Sequence, residues 1–131
     1  MIVVDASAMT EFLLQTPLGL KVEARLLKRA EEFHVPHLID VEVAQALRRL
    51  VRTREISVER AEEALADMAD FDLHRHAHVD LLARAWELRS NLTAYDAVYV
   101  ALAEALASPL VTCDGPLGGS PGHTARIEVV R

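Results

Sequence analysis

Short β-branched runs and longer helical stripes alternate along this chain from its first residues to its last. Ile2 to Val4 is an apolar run that stops at Asp5, after which Ala6 to Leu14 takes a helical spacing. Pro17 and Gly19 punctuate a loop. Leu20, Ala24 and Leu27 then mark the apolar face of a second helix, whose opposite face carries Lys21, Arg25, Lys28 and Arg29. His34 to Pro36 reads as a brief strand, and Ile39, Val43, Leu47 and Leu50 form the core stripe of the helix behind it. Ser57 caps a helix with Val58, Ala61, Leu65 and Met68 inward, and Phe71 and Leu73 alternate with Asp72 and His74 as a third strand. Val79, Leu82, Ala83 and Trp86 define one more helix. Leu110 to Cys113 is a strand that stops at Asp114, Gly118 to Gly122 extends a loop without helical content, and Ile127 to Val130 closes the chain as an edge strand.

One stretch stands apart from this alternation. From Ala97 to Ala103 every residue is apolar or aromatic, so the helix spanning Thr93 to Ala105 has almost no solvent face and belongs deep in the fold. Near its start sits a carboxylate, Asp96, which is costly there unless the helix N-terminus or a cation satisfies it. Thr93 with Asp96 three residues on reads as a capping-box variant. Strands alternating with helices predict an α/β fold, a central parallel sheet of four to five short strands with helices on both faces, formed by residues 1–131 as one domain.

Composition narrows the function classes. Half of the residues are apolar (51%) and 26% charged, the balance of an ordinary globular protein, and no apolar run reaches the length of a membrane span. MIVVDASAM lacks the basic start of a signal peptide, so a cytoplasmic location is expected. The single cysteine, Cys113, excludes an internal disulfide and reads as packing in a strand. A net charge of −6 argues against coating nucleic acid by bulk electrostatics, though it leaves room for a nuclease with an acidic centre and local basic patches.

Four acids carry the candidate chemistry. Asp5 and Asp114 follow strands, while Glu42 and Asp96 stand in the first turns of helices, and in a parallel sheet those positions lie at one end, where ligands bind. Each has a local explanation: Asp5 as a helix cap with Ser7 as the alternative cap, Asp114 as a turn former before Gly115 and Pro116, Glu42 as a solvated residue favoured by the helix dipole, Asp96 as part of a cap. Capping does not require all four to converge. Converging carboxylates repel and call for a cation, and all-oxygen ligation selects Mg²⁺ or Mn²⁺ over zinc. Such an ion activates water and attracts phosphate oxygens, which makes phosphodiester hydrolysis the natural chemistry. Arg48, Arg49, Arg52 and Arg54 make one helix basic toward its C-terminus, suited to the dipole and to RNA phosphates. His74, His76 and His78 form an HxHxH run, but no cysteine, fourth histidine or acid is spaced to complete a zinc site, so an exposed strand-to-helix turn is the expectation.

The chain resembles the PIN-domain ribonucleases, and within them the VapC-like toxins of toxin–antitoxin pairs. The resemblance rests on VVDASA, VPHLIDVEVAQALRR with Glu42, LTAYDAVYVALAEAL with Asp96, and LVTCDGPL with Asp114. It implies a Mg²⁺ or Mn²⁺ site at Asp5, Glu42, Asp96 and Asp114, with Asp5 and Asp96 as direct ligands and Ser7 and Thr112 as supporting hydroxyls. It also implies a homodimer, a cognate antitoxin that blocks the site, and cleavage of structured RNA at a few positions. The rival reading is a non-catalytic module of the same fold that binds an antitoxin-like helix through the amphipathic helices between Leu20 and Met68. A phosphoacceptor fold fits poorly, because Asp5 has no adjacent acid and Ser7 stands where a DxD pattern needs its second Asp.

Overall fold

Ile2, Val3 and Val4 form β1 (Ile2–Val4), and all three are fully buried, which requires cover on both faces of the sheet. The computed structural model describes residues 1–131. After β1 come α1 (Ala6–Leu14), α2 (Pro17–Leu26), β2 (Phe33–Pro36), α3 (Leu38–Arg52), α4 (Val58–Asp70) and β3 (Leu73–His76). A 3-10 turn (His78–Leu81) leads into α5 (Leu82–Glu87), followed by α6 (Ala94–Ala105), β4 (Leu110–Thr112), α7 (Gly115–Gly118) and β5 (Ile127–Val129). The five strands are parallel in the order β3-β2-β1-β4-β5. The expected α/β architecture, with the last strand at an edge, is therefore the one found. The apolar strands β1 and β4 lie inside the sheet, while the edges β3 and β5 carry Arg75 and Glu128, polar residues of the kind that discourage further pairing.

Helices α1, α3 and α4 pack on one another with α2 against α1, and α5 and α6 pair separately. Residues Ala97 to Ala103 of α6 are all buried, as their unbroken apolar run predicts, and α6 lies against β1, β2 and β4. This places the N-terminus of α6 beside the carboxyl ends of β1 and β4.

Several local expectations are corrected. Pro17 and Gly19 are not in a loop: Thr16 caps α2 by accepting the Gly19 N–H at 2.9 Å, and Pro17 takes the first helical position. A Cβ at Gly19 would stand 1.9 Å from the Glu11 carbonyl oxygen, so the glycine lets α2 close onto α1 and turns Val22 and Leu26 inward. Leu20 and Leu27, expected in the core, are 52% and 63% exposed. In α4 the buried residues are Ala61, Ala64 and Met68, with Val58 and Leu65 exposed. The third strand begins at Leu73, because Phe71 ends α4 and packs its ring on Phe12 and Phe33. The helix expected over Val79 to Trp86 is a 3-10 turn plus six residues, so short that it buries only Ala85 and leaves Trp86 69% exposed. Finally, Gly115–Gly118 forms one helical turn where only loop was expected.

Candidate active site

Asp5 leaves β1 and caps α1. Its Oδ1 accepts the Ala8 N–H at 2.9 Å and the Ser7 hydroxyl at 2.6 Å, so Ser7 supports this cap instead of replacing it. Oδ2 accepts the Thr112 hydroxyl from the neighbouring strand β4. Both hydroxyls are used twice: Ser7 Oγ accepts the Cys113 N–H and Thr112 Oγ1 accepts the Asp114 N–H, each at 2.9 Å. Two side chains thus tie the first acid to the strand end that carries the fourth. Asp114 follows β4 and opens α7 without a side-chain capping bond, which leaves its carboxylate uncommitted.

At the start of α6, Thr93 accepts the Asp96 N–H at 3.1 Å. The hydroxyl caps the helix while the Asp96 carboxylate remains half-buried between other acids. Glu42, expected in the first turn of its helix, lies beyond it, since α3 begins at Leu38 and its first-turn acid is Asp40; it accepts the Tyr99 hydroxyl at 2.7 Å. Tyr99 is buried and lies three residues beyond Asp96 on α6, so one helix face presents a carboxylate and, one turn deeper, a donor for another carboxylate.

The electrostatics link the four acids in pairs. Burial raises the Asp5 carboxyl above the ordinary range, against the bonds from Ala8, Ser7 and Thr112, and the charge of Asp96 adds to the rise. Glu42 is raised by burial, despite the Tyr99 bond, and by the charges of Asp96 and Asp5. Asp96 is raised by burial and by Asp114, against the Thr93 hydroxyl. Asp96 is therefore the hub that couples to the other three. None of the molecule's salt bridges reaches any of the four. Burial, followed by the charge of Glu42 and the bond to it, raises the Tyr99 phenol, which keeps it a hydrogen donor.

Glu42 and Asp114 stand in the wall of a cleft of about 410 Å³, with Ser7, Glu11 and Arg49. Arg49 also borders a groove of about 320 Å³ with Arg48, Arg52 and Gln45, so cationic surface runs directly away from the acids. The other basic face is differently employed: Arg25 pairs with Glu128 and Glu31, and Lys21 donates to the Arg131 carbonyl. Cys113 lies beside Asp5, and burial, then the charges of Asp5 and Glu11, push its thiol up to about 11, which keeps it protonated at neutral pH and unsuited to nucleophilic attack.

The family model of the PIN domain matches residues 2–117. The chain belongs to the PIN-domain family. Among its VapC-like members, the Ribonuclease VapC12 of Mycobacterium tuberculosis is 44% identical over 130 residues, covering 99% of this chain and 99% of that protein. The crystal structure of M. tuberculosis VapC20, described as a sarcin-ricin loop cleaving toxin, has a TM-score of 0.70 at 16% identity, over 95% of this chain and 100% of that one. VapBC2 from Rickettsia felis, solved bound to a DNA fragment from their promoter, has a TM-score of 0.69 at 14% identity, over 98% of each chain. At these identities the two structures establish the fold.

In this PIN domain, Tyr99 and Glu11 are the site residues that sequence reasoning missed. Tyr99 sits inside an apolar run and reads as core, although its spacing from Asp96 was the available signal. Glu11 falls on the solvent side of its helix pattern, and only the approach of α3 and β4 makes it part of a cleft.

Proposed function

We propose that this chain is a Mg²⁺- or Mn²⁺-dependent endoribonuclease, the toxin of a toxin–antitoxin pair, acting as a single PIN-like domain over residues 1–131. The observation that supports this reading is the charge coupling of Asp96 to Asp5, Glu42 and Asp114, none of which has a salt-bridge partner. Their donor set is all oxygen, and burial raises the pKa of three of them, so their charged forms are disfavoured in the absence of a counter-charge. Both features suit a hard divalent cation, held by Asp5 and Asp96, with Glu42 and Asp114 completing the shell or orienting water. Bound there, such an ion polarises a phosphate oxygen and lowers the pKa of a water.

The chain's own residues do the rest. The hydroxyls of Ser7 and Thr112 hold the Asp5 carboxylate in place, and Tyr99 holds Glu42, so the acids do not have to be reorganised during turnover. Arg49, Arg48 and Arg52 line the path along which RNA phosphates reach the acids. In-line attack by water leaves a 5′-phosphate and a 3′-hydroxyl. Structured RNA cut at a few positions is the substrate class, supported by the description of VapC20.

A cognate antitoxin fits the surface beside the acids. Leu38, Val41 and Tyr95 line a groove of about 370 Å³ with Glu42 and Arg49, and Val41 and Tyr95 are exposed. An apolar segment followed by a basic side chain would fill the groove and neutralise the carboxylates together. A homodimer in the cytoplasm completes the proposal, and no helix is long and apolar enough to cross a membrane.

The test is cleavage of folded ribosomal and transfer RNA by the purified chain, with Mg²⁺, Mn²⁺ or chelator, alongside Asp5→Asn. Discrete fragments with 5′-phosphates that need the metal and the Asp5 carboxylate are expected. Intact RNA under every condition, with normal binding of an antitoxin, would instead establish the non-catalytic module.

A further inference from the structure

A second group of metal-ligating side chains gathers on the sheet edge, on strands that the acid centre does not use. Parallel pairing sets His34 opposite His74 and Pro36 opposite His76. Side chains alternate along strands, so His34, His74 and His76 stand on one face, and Glu32, two residues before His34, joins them. His34 is 7% exposed. Its Nε2 lies 3.3 Å from Glu32 Oε2, its Nδ1 lies 2.8 Å from His76 Nε2, and the His74 ring stacks on it with centroids 4.7 Å apart. One ligand atom each from Glu32, His34 and His74 all fall within 4.8 Å of one another.

Ordinary packing accounts for part of this. A carboxylate beside a histidine is a familiar pair, but it does not explain a second imidazole stacked against the first and a third bonded to its far nitrogen. The contact between His34 Nδ1 and His76 Nε2 requires one N–H and one lone pair. In the metal-free chain Glu32 accepts the His34 Nε2–H and His34 Nδ1 accepts the His76 Nε2–H; a cation taking the place of the Nε2 proton would leave Nδ1–H to donate to His76, with the stacked His74 ring turning to reach the ion. That exchange would give a ligating histidine whose other nitrogen is held by an outer partner. Glu32 and His74 also border a cleft of about 200 Å³ with Glu31 and Asp72, which adds negative potential and room for water.

We propose that Glu32, His34 and His74 bind one transition-metal cation of the zinc type, His34 through Nε2 and His76 as its outer hydrogen-bond partner. Two imidazole nitrogens and a carboxylate are a donor set for Zn²⁺, Co²⁺ or Ni²⁺, whereas Mg²⁺ prefers the all-oxygen acids. Bonds of about 2.1 Å place tetrahedral ligands roughly 3.4 Å apart, so the three atoms must draw together. Glu32 and His74 are exposed and free to move, while His34 is fixed by burial. The ion would clip the edge strand β3 to β2, joining residues 40 positions apart in the chain, His34 and His74. The HxHxH run supplies only one of the three ligands, which is why no local spacing completed the site.

The experiment uses the chelator-stripped full chain with Zn²⁺ alone or Mg²⁺ alone, in the wild type, His74→Ala, Glu32→Gln and Asp96→Asn. At a Zn²⁺ concentration about a hundredfold above its Kd, the wild type should melt roughly 10 °C higher. His74→Ala and Glu32→Gln should lose most of that shift, and Asp96→Asn should keep it. Co²⁺ should give a visible d–d band in the wild type that His74→Ala abolishes. The proposal is overturned by an absent zinc shift, or by one that survives His74→Ala and disappears in Asp96→Asn, which would place the zinc among the acids.

Discussion

Replacing Asp96 by Asn should make the metal-free protein more stable. Its charge adjoins those of Asp5, Glu42 and Asp114. Two unit charges about 6 Å apart at an effective dielectric near 20 repel by roughly 3 kcal/mol. Asp96 is partly open to water, which reduces the net effect to about 1 kcal/mol for each pair. The pairs are not additive, so the variant should gain on the order of 1–2 kcal/mol, or roughly 3–8 °C in Tm for a chain of this length. The pH dependence follows from the direction of the shifts. Folding raises Asp5 and Asp96 above 3.8 and Glu42 above 4.5, so the folded chain binds more protons than the unfolded chain above those values. Stability from these groups is fully present below their ordinary pKa and is lost as pH rises through the raised ones. The advantage of Asp96→Asn should therefore be largest near neutral pH and shrink toward about pH 4. Thermal unfolding across that range in chelator measures it, and added Mg²⁺ should stabilise the wild type more than the variant. A variant that melts below the wild type near neutral pH in chelator, or a gap that does not narrow with acid, would refute the reasoning.

Other substitutions probe the supports. Thr112→Val keeps the shape but removes a donor to Asp5 and an acceptor for the Asp114 N–H, and should cost about 2–3 kcal/mol in denaturant unfolding. Tyr99→Phe frees Glu42, which water can partly re-solvate; a loss of about 1 kcal/mol is expected, with kcat reduced more than KM is raised. Gly19→Ala should cost about 2–3 kcal/mol, because α1 and α2 must separate, and the denaturation midpoint should fall without a change in slope. Arg49→Gln should weaken RNA binding and lower the salt slope of log K by about 0.7, measured by titration with the Asp96→Asn protein to prevent cleavage.

The parts of the fold that could be read from sequence are those fixed by local pattern. Ile2–Val4 and Leu110–Thr112 announce buried strands because all three residues of each run are suited to cover on both faces, except for Thr112, whose hydroxyl has a use at the site. The apolar run of α6 announces its depth in the same way. The expectation that Asp5, Glu42, Asp96 and Asp114 lie at one end came from topology, since a parallel sheet puts strand ends and helix starts together, and the structure couples the charge of Asp96 to the other three. What failed were helix faces whose orientation depends on a neighbour. Gly19 has no side chain to signal that α1 will press on it, and its absence of bulk turned the face of α2 from Leu20 to Val22. The roles of Tyr99 and His34 were hidden for a related reason. Each is a plausible core residue until a partner from β3 or α3 supplies the polar atom that its hydroxyl or ring meets.

The most direct test of the central claim is transcriptome-wide mapping of 5′-phosphate RNA ends after inducing this chain without an antitoxin, beside an Asp96→Asn control. New ends at a few sites within structured RNA, absent from the control, are the predicted result. Identical maps from the two proteins, with both folded and present at equal levels, would contradict the assignment of the four acids as a hydrolytic centre.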